Sequence, residues 1–351
     1  MTMTSDVQGS SDTARGWLAQ LLEGDDLQEA QAGALLEALA SGALDPALAG
    51  GLLCALRAKG ESADEIRGFA RAMRALAVTP ALDAQDSIDI VGTGGDGSGS
   101  LNLSTGVSLL AAACGLRVVK HGNRSVSSRS GSADVLGALN AALPPVPVEA
   151  GQCLDATGFT FLFAPHFHPA MKAIGPVRQA LKARTIFNVL GPLTNPASPP
   201  YYLLGAFSEP MARLMAQALA GLPLARGFVV HGAPGWDEAT PCGPFHLFDV
   251  RDGEVRHEVR DPASLGIERC TPQALAGGDA QENATHLRAA LGGDPAQGPH
   301  IDALVLGAAL ALEVSGRVGS PSAGVERARE AIESGAAKAW LAGLQAWGTS
   351  A

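Results

Sequence analysis

Two stretches of the chain are dense in the groups that hold anions. The first, Gly92-Thr93-Gly94-Gly95-Asp96-Gly97, closes into Asn102-Leu103-Ser104-Thr105. The second runs Lys120-His121-Gly122-Asn123-Arg124-Ser125-Val126-Ser127-Ser128. Glycine lets a chain turn tightly and bring bare N–H groups against an anion, and successive N–H groups make a concave anion site. Ser104 and Thr105 lead into Val107-Ser108-Leu109-Leu110-Ala111-Ala112-Ala113, which reads as a helix whose free N–H groups and dipole face the same anion. The charge pattern agrees. The formal net charge is -10, yet no Asp or Glu falls between Asp96 and Asp134, where Arg117, Lys120, Arg124 and Arg129 lie. A cationic, amide-rich island in an acidic chain points to a local phosphate site and away from a nucleic-acid surface. Arg117 and Arg129 read as ordinary surface charges, Lys120 and Arg124 as ligands within the second loop.

A third feature suits a metal. Gly235-Trp236-Asp237-Glu238 follows an apolar run ending Val230-His231-Gly232. An isolated Asp-Glu pair is ordinarily a solvated turn. Beside two phosphate-type loops, paired carboxylates past a strand end suit Mg²⁺, which takes oxygen ligands and substrate phosphates. Other chemistry has weaker support. Gly92-x-Gly94-x-x-Gly97 formally matches a dinucleotide fingerprint, but the neighbourhood where that fold needs an acidic residue holds Arg117 and Lys120. His166 and His168 flank Phe167, and His231 and His246 lie elsewhere, without zinc-ligand spacing. No Gly-x-Ser-x-Gly elbow or Walker lysine motif occurs. The chain offers anion binding, metal and positioning, and no evident covalent nucleophile.

These residues need a scaffold. The chain up to about residue 80 is helical in pattern: Trp17, Leu18, Leu21 and Leu22 recur at helix spacing, Asp26 with Glu29 reads as a helix start, and Ser62 with Glu65 reads as a capping box. From about residue 87, short β-rich runs alternate with Ala/Leu-rich helices, which implies a largely parallel sheet covered on both faces. Ligands of such sheets sit at the carboxyl ends of strands, where both glycine loops fall. A Pro-, His- and Arg-rich segment, 161–200, reads as a helix over about 168–182 plus loops, and could cross back to the N-terminal helices. Residues 244–262 read as a hairpin about Asp252-Gly253, and 325–346 as an amphipathic helical tail. The expected fold is α/β plus all-α: a large α/β domain with a mostly parallel central sheet (83–164 and 201–351) and a small helical domain built from the N-terminus and a mid-chain segment (14–82 and 165–200).

Composition bounds the class. With 351 residues, 46% of them hydrophobic and 17% charged, the chain can bury a substantial core. No apolar run approaches the roughly 20 residues of a membrane span. The polar stretch Met1 to Thr13 reads as a loose tail and not a secretory signal. Five scattered cysteines without Cys-x-x-Cys spacing point to reduced thiols and a cytoplasmic setting.

The strings together resemble the anthranilate phosphoribosyltransferase family. The resemblance runs through both glycine loops, Ser130-Gly131-Ser132-Ala133-Asp134-Val135-Leu136, His168-Pro169-Ala170-Met171-Lys172, Pro176-Val177-Arg178, Arg184-Thr185-Ile186-Phe187-Asn188, Gly191-Pro192-Leu193-Thr194-Asn195-Pro196, Asp237-Glu238, and Gly277-Gly278-Asp279-Ala280. It implies displacement of pyrophosphate from phosphoribosyl pyrophosphate by the amine of anthranilate, a step of tryptophan biosynthesis, with Mg²⁺ and a homodimer. It implies that Gly92, Gly95, Asp96, Ser100, Asn102, Leu103, Ser104, Thr105, the Lys120-to-Ser128 loop and Ser132 surround the phosphorylated sugar. Ser104, Asp237 and Glu238 would hold magnesium. Gly92, Asn123 and Arg178 would meet anthranilate, with His121, His168 and Pro192 along its path. No general base is implied. Lys182 and Asn140 stand where the family usually has glycine. A pyrimidine nucleoside phosphorylase of the same architecture, or a nucleic-acid-binding relative without activity, are the alternatives; the charge of -10 and the intact carboxylate pair weigh against the second.

Overall fold

The computed structural model describes residues 3–125, 129–141 and 148–350. Four helices come first: α1 (Met3–Leu22), α2 (Glu29–Ser41), α3 (Pro46–Lys59) and α4 (Ala63–Ala75). The stretch expected as a loose tail is therefore helical from Met3 onward. The expected start at Asp26 is also corrected. The Gln28 N–H donates to Gln31 Oε1 at 2.8 Å at the head of α2, while Asp26 pairs with Lys59. Ser62 and Glu65 do cap α4: Glu65 N donates to Ser62 Oγ (3.2 Å) and Ser62 N to Glu65 Oε2 (2.8 Å).

Strand and helix then alternate. β1 (Ser87–Gly92) leads to α5 (Leu103–Ala113), β2 (Arg117–Gly122), α6 (Ser132–Ala138), α7 (Glu149–Thr157) and β3 (Phe159–Phe163). Short α8 (Ala164–Phe167), α9 (Met171–Leu181) and α10 (Phe187–Leu190) follow. The helix expected over about 168–182 begins only at Met171, after Pro169. β4 (Tyr201–Gly205), α11 (Glu209–Ala220), β5 (Arg226–Gly232), β6 (Phe245–Arg251) and β7 (Glu254–Arg260) complete the sheet. Four helices close the chain: α12 (Ala280–Leu291), α13 (Gly298–Val314), α14 (Pro321–Glu333) and α15 (Ala336–Ser350). The expected single tail is thus two helices, parted at Gly335, whose φ of +79° interrupts the helix.

The sheet has seven strands in the order β3-β2-β1-β4-β5-β6-β7. The first five are parallel neighbours, and β5-β6-β7 are antiparallel. Asp252 and Gly253, both at positive φ, make the tight turn of the β6–β7 hairpin, as their identities imply. One face of the sheet packs under α5 and α13 through Ile88, Ile90, Val118, Leu203 and Phe228. The other shares a core with α1–α4, through Tyr202, Leu204, Val229 and Phe248. Ile174 of α9 and Phe187 of α10 join that second core, and α9 packs on α2 and α3.

Candidate active site

Three strands end in glycine at one spot, and the next turn explains why. A Cβ on Gly92 at the end of β1 would lie 2.3 Å from Asp237 Oδ2. One on Gly205, its neighbour on β4, would lie 1.5 Å from the Asp237 carbonyl oxygen, and one on Gly232 of β5 would lie 2.0 Å from the Glu238 carbonyl oxygen. The Asp237-Glu238 turn therefore sits directly on the carboxyl edge of the parallel sheet. Gly205 and Gly232, which make room for the carboxylate turn, are positions that motif reading missed. Their signal was a glycine closing each apolar run.

Both carboxylates hold the loops in place. Gly94 N donates to Asp237 Oδ2 at 2.6 Å, and Asp237 N donates to Asp96 Oδ2 at 3.3 Å. Ser104 N, in the first turn of α5, donates to Glu238 Oε1 at 2.9 Å. The helix expected from Val107 thus starts at Leu103, which places Ser104 and Thr105 among its free N–H groups. Burial, then the neighbouring Asp96, pushes Asp237 up to about 7. Burial and Asp237 raise Glu238 as well. The apolar side chains of Ile90, Val107, Leu203, Val230 and Leu310 line the space beneath the pair and keep water from it.

The second loop is arranged differently from its sequence reading. Lys120, expected as a loop ligand, lies inside β2 and is completely buried; its Nζ donates to the Ile90 carbonyl. Burial lowers its pKa to about 8, while Asp89, Glu238 and Asp237 pull it upward. It is a buried counter-charge behind the carboxylate pair. His121 is also in the strand and buried, and Gly122 ends it. Arg124 is exposed and pairs with Asp134 at 3.2 Å. Asp134 Oδ2 also accepts from Ser125 N (3.1 Å) and Gly131 N (3.0 Å), so it fixes the loop's shape ahead of Ser132. Asn123 is exposed, and its side chain accepts from Arg124 N at 2.7 Å. Val126, Ser127 and Ser128 lie outside the described residues. Arg117 sits at the opposite end of β2 against Asp155, and exposed Arg129 lies 3.9 Å from Glu282, as surface charges do.

Asn102 links the two loops: its Nδ2 donates to the Ser130 carbonyl (3.1 Å) and its Oδ1 accepts from Asn283 Nδ2 (2.7 Å). Leu103 is buried, and Ser100 lies beside Ser98 with 3.1 Å between hydroxyl oxygens. The Thr105 hydroxyl is buried without a hydrogen-bond partner among the described residues. Gly95 has φ of +74° and its carbonyl accepts from Arg184, which ties the segment after α9 to the first loop.

On the sheet's other face lies a second polar group. His121 Nε2 and His168 Nε2 are 3.2 Å apart, and His121 Nδ1 is 3.3 Å from the Gly191 carbonyl, next to buried Pro192. Buried Asp89 accepts from His121 N (3.2 Å) and Asn195 Nδ2 (2.8 Å). Desolvation lowers His121 to about 3 and His168 to about 4 and raises Asp89 to about 6. Asp89 and Asn195 were not singled out from sequence; a lone Asp inside an apolar strand was the available signal. Arg178 occupies the last turn of α9, half-buried, with its guanidinium 5.3 Å over the Phe187 ring. The guanidinium has no hydrogen bond or ion pair among the described residues, and burial lowers its pKa.

A helical bundle packed beneath a mostly parallel sheet, with phosphate-type loops and a carboxylate pair on the sheet's carboxyl edge, defines a glycosyl transferase class. Residues 84–338 match the family model for the glycosyl transferase a/b domain, and residues 15–77 match that for its helical bundle domain. The anthranilate phosphoribosyltransferase of Desulforudis audaxviator is 45% identical over 327 residues, covering 93% of this chain and 94% of that protein. That of Rhodopseudomonas palustris is 44% identical over 324 residues, covering 92% and 95%. Among solved structures, the anthranilate phosphoribosyltransferase of Thermus thermophilus superposes with a TM-score of 0.88 at 43% identity, covering 95% of this chain and 99% of that one. The Saccharomyces cerevisiae enzyme in complex with PRPP and Mg gives 0.87 at 26% identity, covering 97% and 99%. The chain belongs to the anthranilate phosphoribosyltransferase family.

Proposed function

We propose that the chain transfers the phosphoribosyl group of phosphoribosyl pyrophosphate to the amine of anthranilate, releasing pyrophosphate, in tryptophan biosynthesis. One observation carries this reading: buried Asp237 and half-buried Glu238 bind the N–H groups of the first glycine loop and of the α5 N-terminus at one sheet edge. The donor set fits a divalent cation. Asp237 and Glu238 offer hard oxygen ligands, each with a raised pKa that a bound cation would relieve. Ser104, Asp237 and Glu238 would hold Mg²⁺, which when bound neutralises charge on the pyrophosphate leaving group.

The chain's own groups do the rest. N–H groups of the first loop and of the α5 start face the phosphates and need no reorganisation as negative charge grows on the leaving group. Gly92, Gly95, Asp96, Ser100, Asn102, Leu103, Ser104, Thr105, the loop after Gly122 and Ser132 form the sugar-phosphate side. Lys120 acts from beneath, its buried charge offsetting part of the negative charge of Asp89, Glu238 and Asp237. Arg178 holds the planar carboxylate of anthranilate with two parallel hydrogen bonds, which its desolvated guanidinium favours. His121, His168 and Pro192 line the approach, and Gly92 and Asn123 lie where the two substrates meet. Both histidines stay neutral, so they present no cationic trap for the anthranilate carboxylate. The amine is weakly basic and positioning supplies most of the rate.

The helical domain of this reading comprises 14–82 and 165–200, and the α/β domain 83–164 and 201–351. The shared core of α1–α4 with Ile174 and Phe187 supports that division. A cytoplasmic homodimer belongs to the same reading and rests on the resemblance.

The decisive experiment follows loss of anthranilate fluorescence with phosphoribosyl pyrophosphate and Mg²⁺. Turnover that needs all three components is expected. No turnover across a range of pH and Mg²⁺ would overturn the proposal.

A further inference from the structure

Far along the sheet from β1, three antiparallel-linked strands line up histidines on one face. His231 of β5 sits directly opposite His246 of β6 in the register. His257 of β7 is opposite Phe248, two residues on from His246, so it falls diagonally beside His246 on the same face. Glu209 opens α11, which packs over this face. The ligand atoms of Glu209, His246 and His257 all lie within 4.8 Å of one another. None of the three has a place in the reaction described above.

We propose that Glu209, His246 and His257 form a second, transition-metal site that takes Zn²⁺ or a cation of the same borderline class, with water completing the shell. Four features of geometry and chemistry support it. His246 Nδ1 and His257 Nε2 are 3.0 Å apart. Two nitrogens on one tetrahedral zinc, each about 2.0 Å from it, stand about 3.3 Å apart, so only a small rotation separates the present rings from a coordinating pair. The two imidazoles are stacked at 7° between planes, and His257 also stacks on Phe248 at 19°, which fixes the ring orientations before any cation arrives. The Glu209 carboxylate is steered by Arg213, whose Nη2 donates to Oε1 at 2.7 Å, while its second oxygen has no hydrogen bond among the described residues. His231 supplies a further imidazole close by. Its Nδ1 is 2.8 Å from the Ala206 carbonyl, so that nitrogen carries a proton and Nε2 is the one left to face a cation.

The donor set selects the metal. Two imidazoles and one carboxylate suit zinc, nickel or copper and do not suit Mg²⁺, which prefers oxygen alone. The magnesium site and this one therefore differ in chemistry as well as in place. His246 and Glu209 are half-buried and His257 is exposed, so a cation enters from solvent without opening the core. Arg213, Phe248 and His231 are the other groups that face it; Arg213 is a cation and weakens the site relative to one without it.

The test is a calorimetric titration of Zn²⁺ into the full chain, held in saturating Mg²⁺ and a thiol-free reductant. One zinc per chain is expected, with affinity reduced at least about tenfold in both His257→Ala and Glu209→Gln. Zinc should also raise the melting temperature of the unaltered chain and leave that of His257→Ala unmoved, because only the folded state holds the site. Mg²⁺-dependent turnover of His257→Ala should match that of the unaltered chain. Cobalt in place of zinc separates this site from the Cys242 and Cys270 thiols, whose sulfurs are 3.9 Å apart. A thiolate-to-cobalt charge-transfer band accounting for the bound metal would overturn the proposal. So would unchanged zinc affinity in the two variants, or no zinc binding at all.

Discussion

At the scale of single residues, the glycines that end β1, β4 and β5 show how little freedom the site has. Gly205→Ala would press a methyl group into the Asp237 carbonyl, against backbone that cannot rotate away. The expected loss is about 3 kcal/mol or more of stability together with turnover, checked by denaturant unfolding and the fluorescence assay. Arg178 gives a cleaner separation. Arg178→Ala should raise the anthranilate KM at least about tenfold, the worth of a charged bidentate pair, and leave the phosphoribosyl pyrophosphate KM within about twofold of its original value; initial rates with each substrate varied in turn decide it. The motif strings were legible here because loops that meet phosphate use a narrow alphabet of glycine and small hydroxyls. What each cation does was not legible. Lys120 and Arg124 sit four residues apart in one string, yet the first lies inside β2, where the sheet buries it, and the second lies past the strand's end, exposed against Asp134. Nothing in a linear reading says where β2 stops.

At the scale of elements, caps and turns decide most boundaries. Asp279 caps α12, accepting from Gln281 N (2.9 Å) and Glu282 N (3.0 Å), and α12 carries the Asn283 that holds Asn102. Asp279→Ala should lower stability by about 1 kcal/mol, read from chemical denaturation, with a smaller effect on turnover. Lys182 closes α9 at φ of +47°, a left-handed position. Glycine adopts that conformation without a side-chain penalty, and Asn140 at φ of +55° occupies the same region, which asparagine tolerates better than lysine. Lys182→Gly should stabilise the chain by up to about 1 kcal/mol, the backbone strain removed less the extra freedom of the unfolded glycine; a melting temperature that falls would contradict this. Alternation of strand and helix, the Asp252-Gly253 hairpin and the Ser62-Glu65 box were readable from local chemistry. The head of α2 was not, because a Gln28–Gln31 pair does the work that Asp26 and Glu29 advertise. The break at Gly335 was hidden by apolar spacing that continues on both sides of it.

At the scale of the whole molecule, the sheet keeps two polar systems apart, the carboxylates at its carboxyl edge and the paired histidines beneath one face. His121 and His168 stay neutral in the fold, at about 3 and about 4, whereas an unfolded histidine titrates near 6.5. As pH falls below 6.5 the unfolded chain takes up protons that these two histidines refuse in the fold, so their contribution to stability declines from there toward pH 4, opposed by Asp89, Asp237 and Glu238, whose raised carboxyls take up protons in the fold. His168→Gln should shrink the difference in unfolding free energy between pH 7 and pH 5 by about 1–2 kcal/mol, measured by urea denaturation at both. The order of strands depends on long-range contacts, which composition and periodicity do not encode, and it was not read; the return of the mid-chain segment to the first helices was read from a composition unlike either sheet block. The outermost strand carries a last consequence. β7 reads Glu254-Val255-Arg256-His257-Glu258-Val259-Arg260 and is solvated along most of its length. Another polypeptide adding itself to that rim would have to strip water from a row of opposed charges, so the open margin of the sheet resists fibril-like growth even though its backbone groups are free to pair.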